Sequence, residues 1–318
     1  MTSLIEIQAI NLLQVATVIS LSPIVQGLIN RFKGIIESRK GPPILQPYYD
    51  ITKLLKKEIL IPAKSSSLFV LAPLASFSAY VVISLVIPII TPYPLPYGIL
   101  LDFLGGALMF GFAGIMGIIA AIDAGTHYSL MGASRSITFT AFAEPTLIMV
   151  FIAVALITGT NNPYVTNNLL SSSLETYISP THILVTVAFF MLLLTETGKL
   201  PVESSGLMEL GMLDDAKIME YSGKLLALSK WGSYMKQFML MSVFVNVFIL
   251  PWGIFGNSGI LGAFISVGTL MLKLLFVVTI VVVVEETFSK LRLFKILDFL
   301  AISFSLGLLS VVAFSLSR

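Results

Sequence analysis

The sequence predicts an all-α polytopic membrane protein of about eight transmembrane helices, with amphipathic helices in the loops on one side. Three observations predict it. Hydrophobic residues make up 56% of the 318 and charged residues only 11%, with a mean hydropathy of +0.96; soluble domains carry about 25% charged residues. Apolar runs near the ~20 residues needed to cross the hydrocarbon layer recur along the chain. Basic residues are confined almost entirely to alternate loops. Residues 1–318 read as a single transmembrane domain.

The hydropathy places the spans near 4–29, 68–90, 100–122, 137–158, 181–197, 233–252, 260–284 and 296–316. The first run begins almost at Met1, has no basic flank and is too long for a cleavable signal, so it reads as a true span. Pro88, Pro145 and Pro251 are expected to bend their helices. The row Gly106, Phe110, Gly114 and Gly117 in the third span suits close packing against a neighbouring helix.

Orientation follows from the cations. Loops 1–2, 3–4, 5–6 and 7–8 hold 17 of the 19 Lys and Arg residues, counting Lys236 just inside span 6. Lys273, within a span, and Arg318, at the end, are the remainder. The positive-inside rule puts these loops in the cytoplasm of a cell-membrane protein and both termini outside.

Loop 31–66 is basic and contains RKGPPILQPYYDITKLLKKE, Arg39 to Glu58. Gly41-Pro42-Pro43 sets a rigid turn. After Pro47, Tyr48, Ile51, Leu54 and Leu55 fall on one helical face. Its cations could hold anionic lipid headgroups, but a rigid polar turn with Gln46 and Asp50 fits a partner-docking surface better. Asp123 opens DAGTHYSLMGASRS, which reads as a tight loop with a single cation, Arg135. The outer loop 159–180 is polar, with Glu175 its only charge, and offers no site.

Loop 196–231 organises the chain. From Glu196 to Lys230 it carries ten of the 36 formal charges, six acidic and four basic. Six carboxylates held beside a membrane suggest proton or cation handling. Within it, Ile218–Lys230 reads as an amphipathic surface helix, with Glu220 and Lys224 an i, i+4 pair. Glu285-Glu286 stand at the inner end of span 7.

Two charges lie inside spans. A lysine at the bilayer centre costs roughly 3 kcal/mol, so Lys273 predicts a buried acid, with Glu144 the first candidate. A structural ion pair and a relay element are both compatible with that pairing. The absence of cysteine excludes a disulfide framework and cysteine-bound iron–sulfur clusters. His127 and His182 stand alone, without metal-ligand spacing. There is no Walker A motif and no dinucleotide fingerprint, and nothing suggests nucleic-acid binding. Electrons of any redox reaction must travel in another subunit.

Taken together, these residues resemble the membrane subunit that joins the two arms of complex I-type machines, that is, subunit 1 of respiratory complex I and its counterpart in the bacterial enzyme. The resemblance covers nearly the whole chain. Gly132-Ala133-Ser134-Arg135 with Glu144-Pro145, Glu196 to Glu203 (ETGKLPVE), Glu220-Tyr221-Ser222-Gly223 and Lys290 to Phe294 (KLRLF) look like the branch of group 4 membrane-bound [NiFe] hydrogenases and the related archaeal sulfur-reducing complexes. Gly41-Pro42-Pro43 departs from the Gly-Pro-Asn of the quinone enzymes, and Pro201-Val202-Glu203 from their Pro-Phe-Asp, which counts against a quinone-like cavity.

The resemblance implies a subunit that holds no cofactor and docks a soluble arm. That arm would comprise hydrogenase-like large and small subunits and an iron–sulfur subunit, bearing a NiFe centre and iron–sulfur clusters, with reduced ferredoxin as electron donor. Antiporter-like membrane subunits would pack beside the chain in the bilayer. By the same resemblance, Glu144, Glu196, Glu203, Glu209, Asp214 and Asp215 begin a proton or sodium path, to which the intramembrane Lys273 and the Glu285 at the end of span 7 are added. Arg39, Lys40, Gly41, Gln46, Asp50, Lys53 and Arg135 are the expected docking residues. A sulfur- or quinone-reducing complex, an independent secondary transporter and a purely structural anchor are the competing readings. The transporter lacks the paired broken helices of two matching halves.

Overall fold

The computed structural model describes residues 4–90, 102–199, 201–202, 214–254, 259–289, 291 and 293–317. In chain order the helices are α1 (Leu4–Ile36), α2 (Gln46–Leu55), α3 (Ser67–Val86), α4 (Phe103–Ala124), α5 (His127–Thr158), α6 (Pro163–Ser172), α7 (Leu174–Ile178), α8 (Pro180–Glu196), α9 (Asp214–Ile218), α10 (Gly223–Val243), α11 (Gly259–Thr287) and α12 (Leu293–Ser317). A π-helical turn, Phe244–Ile249, continues α10. Among the described residues, α1, α3, α4, α5, α11 and α12 contain stretches long and apolar enough to cross a bilayer. The apolar α8 is shorter, at 17 residues. The chain is an all-α, multi-pass membrane protein.

Eight helices correspond to the eight expected spans, and they alternate in direction. Contacts at one end of the bundle join Ser66 to Asp123 and Lys33 to Glu285, and contacts at the other join Gln14 to Ile87 and Ser310 to Thr181. α3 packs on α4 and α4 on α5; α12 fills the angle between α5 and α8; α1 lies between α10 and α11. Small residues and single hydroxyls make these contacts, as in other membrane bundles. Ser76 donates to Ala113 O at 3.0 Å, Ser303 to Ala188 O at 2.7 Å and the Trp231 indole to Ile19 O at 3.0 Å.

Helix ends obey local chemistry. Asp102 caps α4 by accepting from Gly105 N at 2.7 Å, and α4 ends on Gly125 at φ 66°. Thr126 then caps α5 within one residue of that stop. The expected tight loop after Asp123 is therefore a single turn, and Arg135 lies inside a helix. A capping threonine directly behind a left-handed glycine restarts the helix without a loop.

Two further expectations are corrected here. The surface helix Ile218–Lys230 does not exist as a unit. α9 ends at Ile218, Glu220 lies in a turn, and Ser222-Gly223 start α10, which runs on into the span. Glu220 and Lys224 thus do not share a helix. Nor does the Gly106, Gly114, Gly117 row mediate close contact: a Cβ at any of them meets nothing within 4 Å. The glycine of α4 that does is Gly111, where a Cβ would stand 2.8 Å from the Glu144 carboxyl.

Candidate ion-coupling site

The site is assembled where α8 ends. Glu196 is the last helical residue, Thr197 the cap and Gly198 is left-handed at φ 59°. Gly198 N donates to Thr195 O and Lys199 N to Leu194 O, at 3.2 and 2.9 Å. These two bonds make a Schellman stop. Val202 N then donates to Lys199 O at 2.9 Å, closing a turn over Pro201, and Leu291 N donates to Pro201 O at 2.8 Å. The sequence ETGKLPV is thus a rigid hook at the helix end. It sends the Glu196 and Lys199 side chains to two different charge clusters.

Glu196 Oε2 meets Lys236 Nζ of α10 at 2.5 Å. The pair lies in the wall of two cavities at once, one of about 70 Å3 and one of about 400 Å3. The smaller reaches between α4 and α5 to Glu144, and Gly114, Glu196, Lys217 and Lys236 line both. The Glu144 Oε1 atom is buried without a hydrogen-bond partner in the structure. An orphaned carboxylate oxygen beside space for a few waters is a site for a proton or a hydrated cation. The larger cavity runs under α10 toward α1 and α3, bounded by Asn30, Tyr80 and Tyr221.

Lys199 turns the other way. It is 4% exposed, and burial pushes its ammonium down to about 8 against the opposing pull of Glu285. Glu285, 2% exposed, bonds Lys33 of α1 at 2.7 Å through Oε1.

Two loops clamp the chamber. Gly223 is left-handed at φ 52°, and a Cβ there would lie 2.3 Å from Glu58 O. Beside it, the Ser222 hydroxyl accepts from Leu60 N at 2.6 Å. Tyr221 stacks on Phe69 at 4.4 Å and donates to its carbonyl at 3.2 Å. Burial also raises the Tyr221 phenol above its ordinary range. The first loop packs on α1 through two glycines: Cβ atoms at Gly27 and Gly34 would stand 1.9 Å from Ile44 O and 2.5 Å from Gly41 Cα. Arg31 holds Gly41 O at 3.0 Å. Gly132 accepts α9 in the same way, with Ala216 Cβ at 2.7 Å.

The sequence-derived residues separate into groups. Glu144 and Glu196 converge on the cavities, and Asp215 lines the larger one. Asp214 opens α9; Glu203 and Glu209 lie outside the described residues. Glu285 belongs to the Lys33–Lys199 cluster. Arg39 pairs with Glu37 at 2.6 Å, Gln46 donates to Asp50 at 3.0 Å, and Lys40 and Lys53 are exposed on the same loop.

Lys273 does not meet Glu144. Its Nζ donates to Asn246 Oδ1 at 3.1 Å and Leu250 O at 2.8 Å. The Asn246 side-chain amide and the Leu250 carbonyl, just past the π turn, supply two oxygen acceptors, and an ammonium satisfies them without an acid. Lys33, Lys199 and Lys236 escaped the sequence reading because they look like ordinary loop cations. Only the i, i+3 spacing of Glu196 and Lys199 around a Gly stop could have marked one of them.

Comparison with known proteins agrees with this architecture. A family model described as NADH dehydrogenase matches residues 8–315. Hydrogenase-4 component C of Escherichia coli is 30% identical over 95% of this chain and 94% of its own length. Formate hydrogenlyase subunit 4 of the same organism is 28% identical over 89% and 90%. NADH-ubiquinone oxidoreductase chain 1 of Trichosurus vulpecula is 30% identical over 54% of each chain. A chain in the structure of the membrane-bound sulfane sulfur reductase, an archaeal respiratory membrane complex, shares the fold with a TM-score of 0.81 at 20% identity, covering 97% of this chain and 99% of that one. A family match spanning nearly the whole chain, with a full-length relative at 30% identity, places this protein in the NADH dehydrogenase family.

Proposed function

We propose that the chain is the membrane-arm subunit of a complex I-like, ferredoxin-dependent hydrogenase, where it anchors the soluble redox arm and couples electron transfer to proton or sodium movement. One observation carries the coupling role: the Glu196–Lys236 pair stands where two cavities meet and one of them leads to Glu144. Likeness to hydrogenase-4 component C and formate hydrogenlyase subunit 4 along nearly the whole chain supports the hydrogenase assignment.

The path begins at the acids of the central loop, Glu203, Glu209, Asp214 and Asp215, passes Glu196 and enters the bilayer at Glu144. Glu285 joins it at the inner end of α11. Lys273 lies apart from it, capping the α10 segment. The first loop is the docking face. Ile44, Leu45, Tyr49, Leu60 and Ile61 are exposed there, rimmed by Arg39, Lys40 and Lys53, with Arg135 on the same side. Apolar side chains ringed by charge mark protein interfaces. The NiFe centre and iron–sulfur clusters reside in hydrogenase-like large and small subunits and an iron–sulfur subunit. Antiporter-like subunits flank the chain in the cell membrane, with both termini outside and the charged loops cytoplasmic.

Mild purification of the tagged chain from its host, with subunit and metal analysis, tests the reading. Nickel and iron in a co-purifying soluble arm support it. Iron without nickel transfers the same role to a sulfur- or quinone-reducing complex, and a chain that stays solitary overturns it. In the assembled complex, Glu144→Gln is expected to abolish ion movement while leaving subunit composition intact.

A further inference from the structure

The Lys33–Glu285–Lys199 cluster has no part in the path just described beyond Glu285. It draws one residue from each of three elements, α1, α11 and the hook after α8. Lys33 is paired with Glu285, and Lys199 feels the charge of both, so the three groups together carry one net positive charge. Lys33 occupies Glu285 Oε1 at 2.7 Å, and Glu285 Oε2 is buried with no hydrogen-bond partner in the structure. Lys199 is 4% exposed, yet it is among the residues that line the 400 Å3 cavity. Its backbone is fixed on both sides, by Leu194 O before it and Val202 N after it.

We propose that Lys199 is a proton-carrying group of the ion-coupling site, exchanging its proton with cavity water and sharing Glu285 with Lys33. The inference rests on the coupling role proposed above. In the transfer an N–H bond of the ammonium breaks and an O–H bond forms on a water molecule; no electrons move. Loss of that proton leaves Lys33 and Glu285 as a neutral pair. Its return restores a positive charge that attracts Glu285 Oε2 and repels Lys33.

The cost of burying that charge is what makes release feasible. An ordinary lysine holds its proton far above neutrality, whereas burial brings Lys199 down to about 8. The groups that set this balance are Glu285 and Lys33 beside it, and, around the cavity, the Glu196–Lys236 pair with Asp215, Lys217 and Lys230. Tyr80, Tyr221 and Tyr234 also line the cavity.

The test is ion movement per electron transferred in the purified complex, measured across pH 6.5–9.5 for wild type, Lys199→Arg and Lys199→Met. Arginine keeps the charge and the partner but does not release a proton in this range. A structural ion pair is rescued by arginine; a proton carrier is not. The expected result is that Lys199→Arg assembles, transfers electrons and loses ion movement at least tenfold. Wild-type coupling by Lys199→Arg at every pH overturns the inference. Glu144→Gln in parallel separates the two claims: loss there with a normal Lys199→Arg discards this inference and keeps the coupling role, whereas wild-type coupling in both discards the role itself. Where the variants fail to assemble, the wild-type profile decides. A fall in coupling centred near pH 8 supports the inference, and a flat profile through pH 9 overturns it.

Discussion

Glu196 Oε2 and Lys236 Nζ lie 2.5 Å apart, their side chains 18% and 20% exposed. The pair ties the end of α8 to the middle of α10. Half-buried pairs of this kind are costly to break singly, because the remaining charge loses its partner. Lys236→Met is expected to destabilise the solubilised protein by about 1–3 kcal/mol, a value reduced for solvent screening. Glu196→Gln combined with Lys236→Met should recover part of that loss. A double-mutant cycle on thermal unfolding in detergent measures the coupling; strictly additive losses would mean that the pair does not interact.

The glycines make a sharper contrast. A Cβ at Gly27 would stand 1.9 Å from Ile44 O, a backbone atom that cannot swing aside. Gly27→Ala is expected to lift the first loop from α1, cost roughly 3 kcal/mol or more, and impair recovery of the proposed soluble arm. Gly114→Ala, in the wall of both cavities, meets nothing within 4 Å. It should change stability by less than about 0.5 kcal/mol. Retention of the arm by Gly27→Ala, assayed by co-purification, would remove the role assigned to that contact.

That contrast also shows what the sequence could convey. Six of the eight expected spans recur as helices long and apolar enough to cross a bilayer, and a seventh as the shorter α8, because a run of about twenty apolar residues has few alternatives in water. The α2 helix was legible but its buried face only in part: of Tyr48, Ile51, Leu54 and Leu55, Ile51 is buried, Tyr48 and Leu54 are half-buried and Leu55 is exposed. Glycine roles were not legible. Gly27 and Gly106 look alike in sequence, and only the path of a distant loop separates them. Glu144 and Glu196 were legible as chemistry, since an acid at a membrane must have a use or a partner. Lys199 was hidden by the Schellman hook, a geometry that Gly198 permits but does not dictate. The expected Glu144–Lys273 pair assumed that a buried lysine requires an acid. The Asn246 amide and the Leu250 carbonyl supplied acceptors instead.

Lys273 is accordingly expected to behave as a cap. Lys273→Met leaves Leu250 O and Asn246 Oδ1 without their donor and should cost about 1–3 kcal/mol. The fully buried Val277, Val278, Val281 and Val282 separate it from Glu285 along α11. Ion movement per assembled complex should therefore stay near the wild-type value. A coupling defect in a stably assembled Lys273→Met complex would return Lys273 to the path.

Stability should also report Lys199 directly. Its ammonium titrates near 8 in the folded protein against an ordinary value of 10.5. Between those values the unfolded chain holds the extra proton, so raising the pH through that window favours the folded state. Below about pH 8 both states are protonated and the burial cost is constant. The full difference corresponds to at most about 3 kcal/mol. Other lysines and tyrosines titrate in the same window, so the useful quantity is wild type minus Lys199→Arg. Arginine stays charged throughout, which removes the slope but not the partner. That difference should be flat from pH 6.5 to about 8 and then rise in favour of wild type toward pH 10.5. A difference that stays flat across the whole range would mean that Lys199 is solvated in the folded protein, and that the buried cluster does not set its charge.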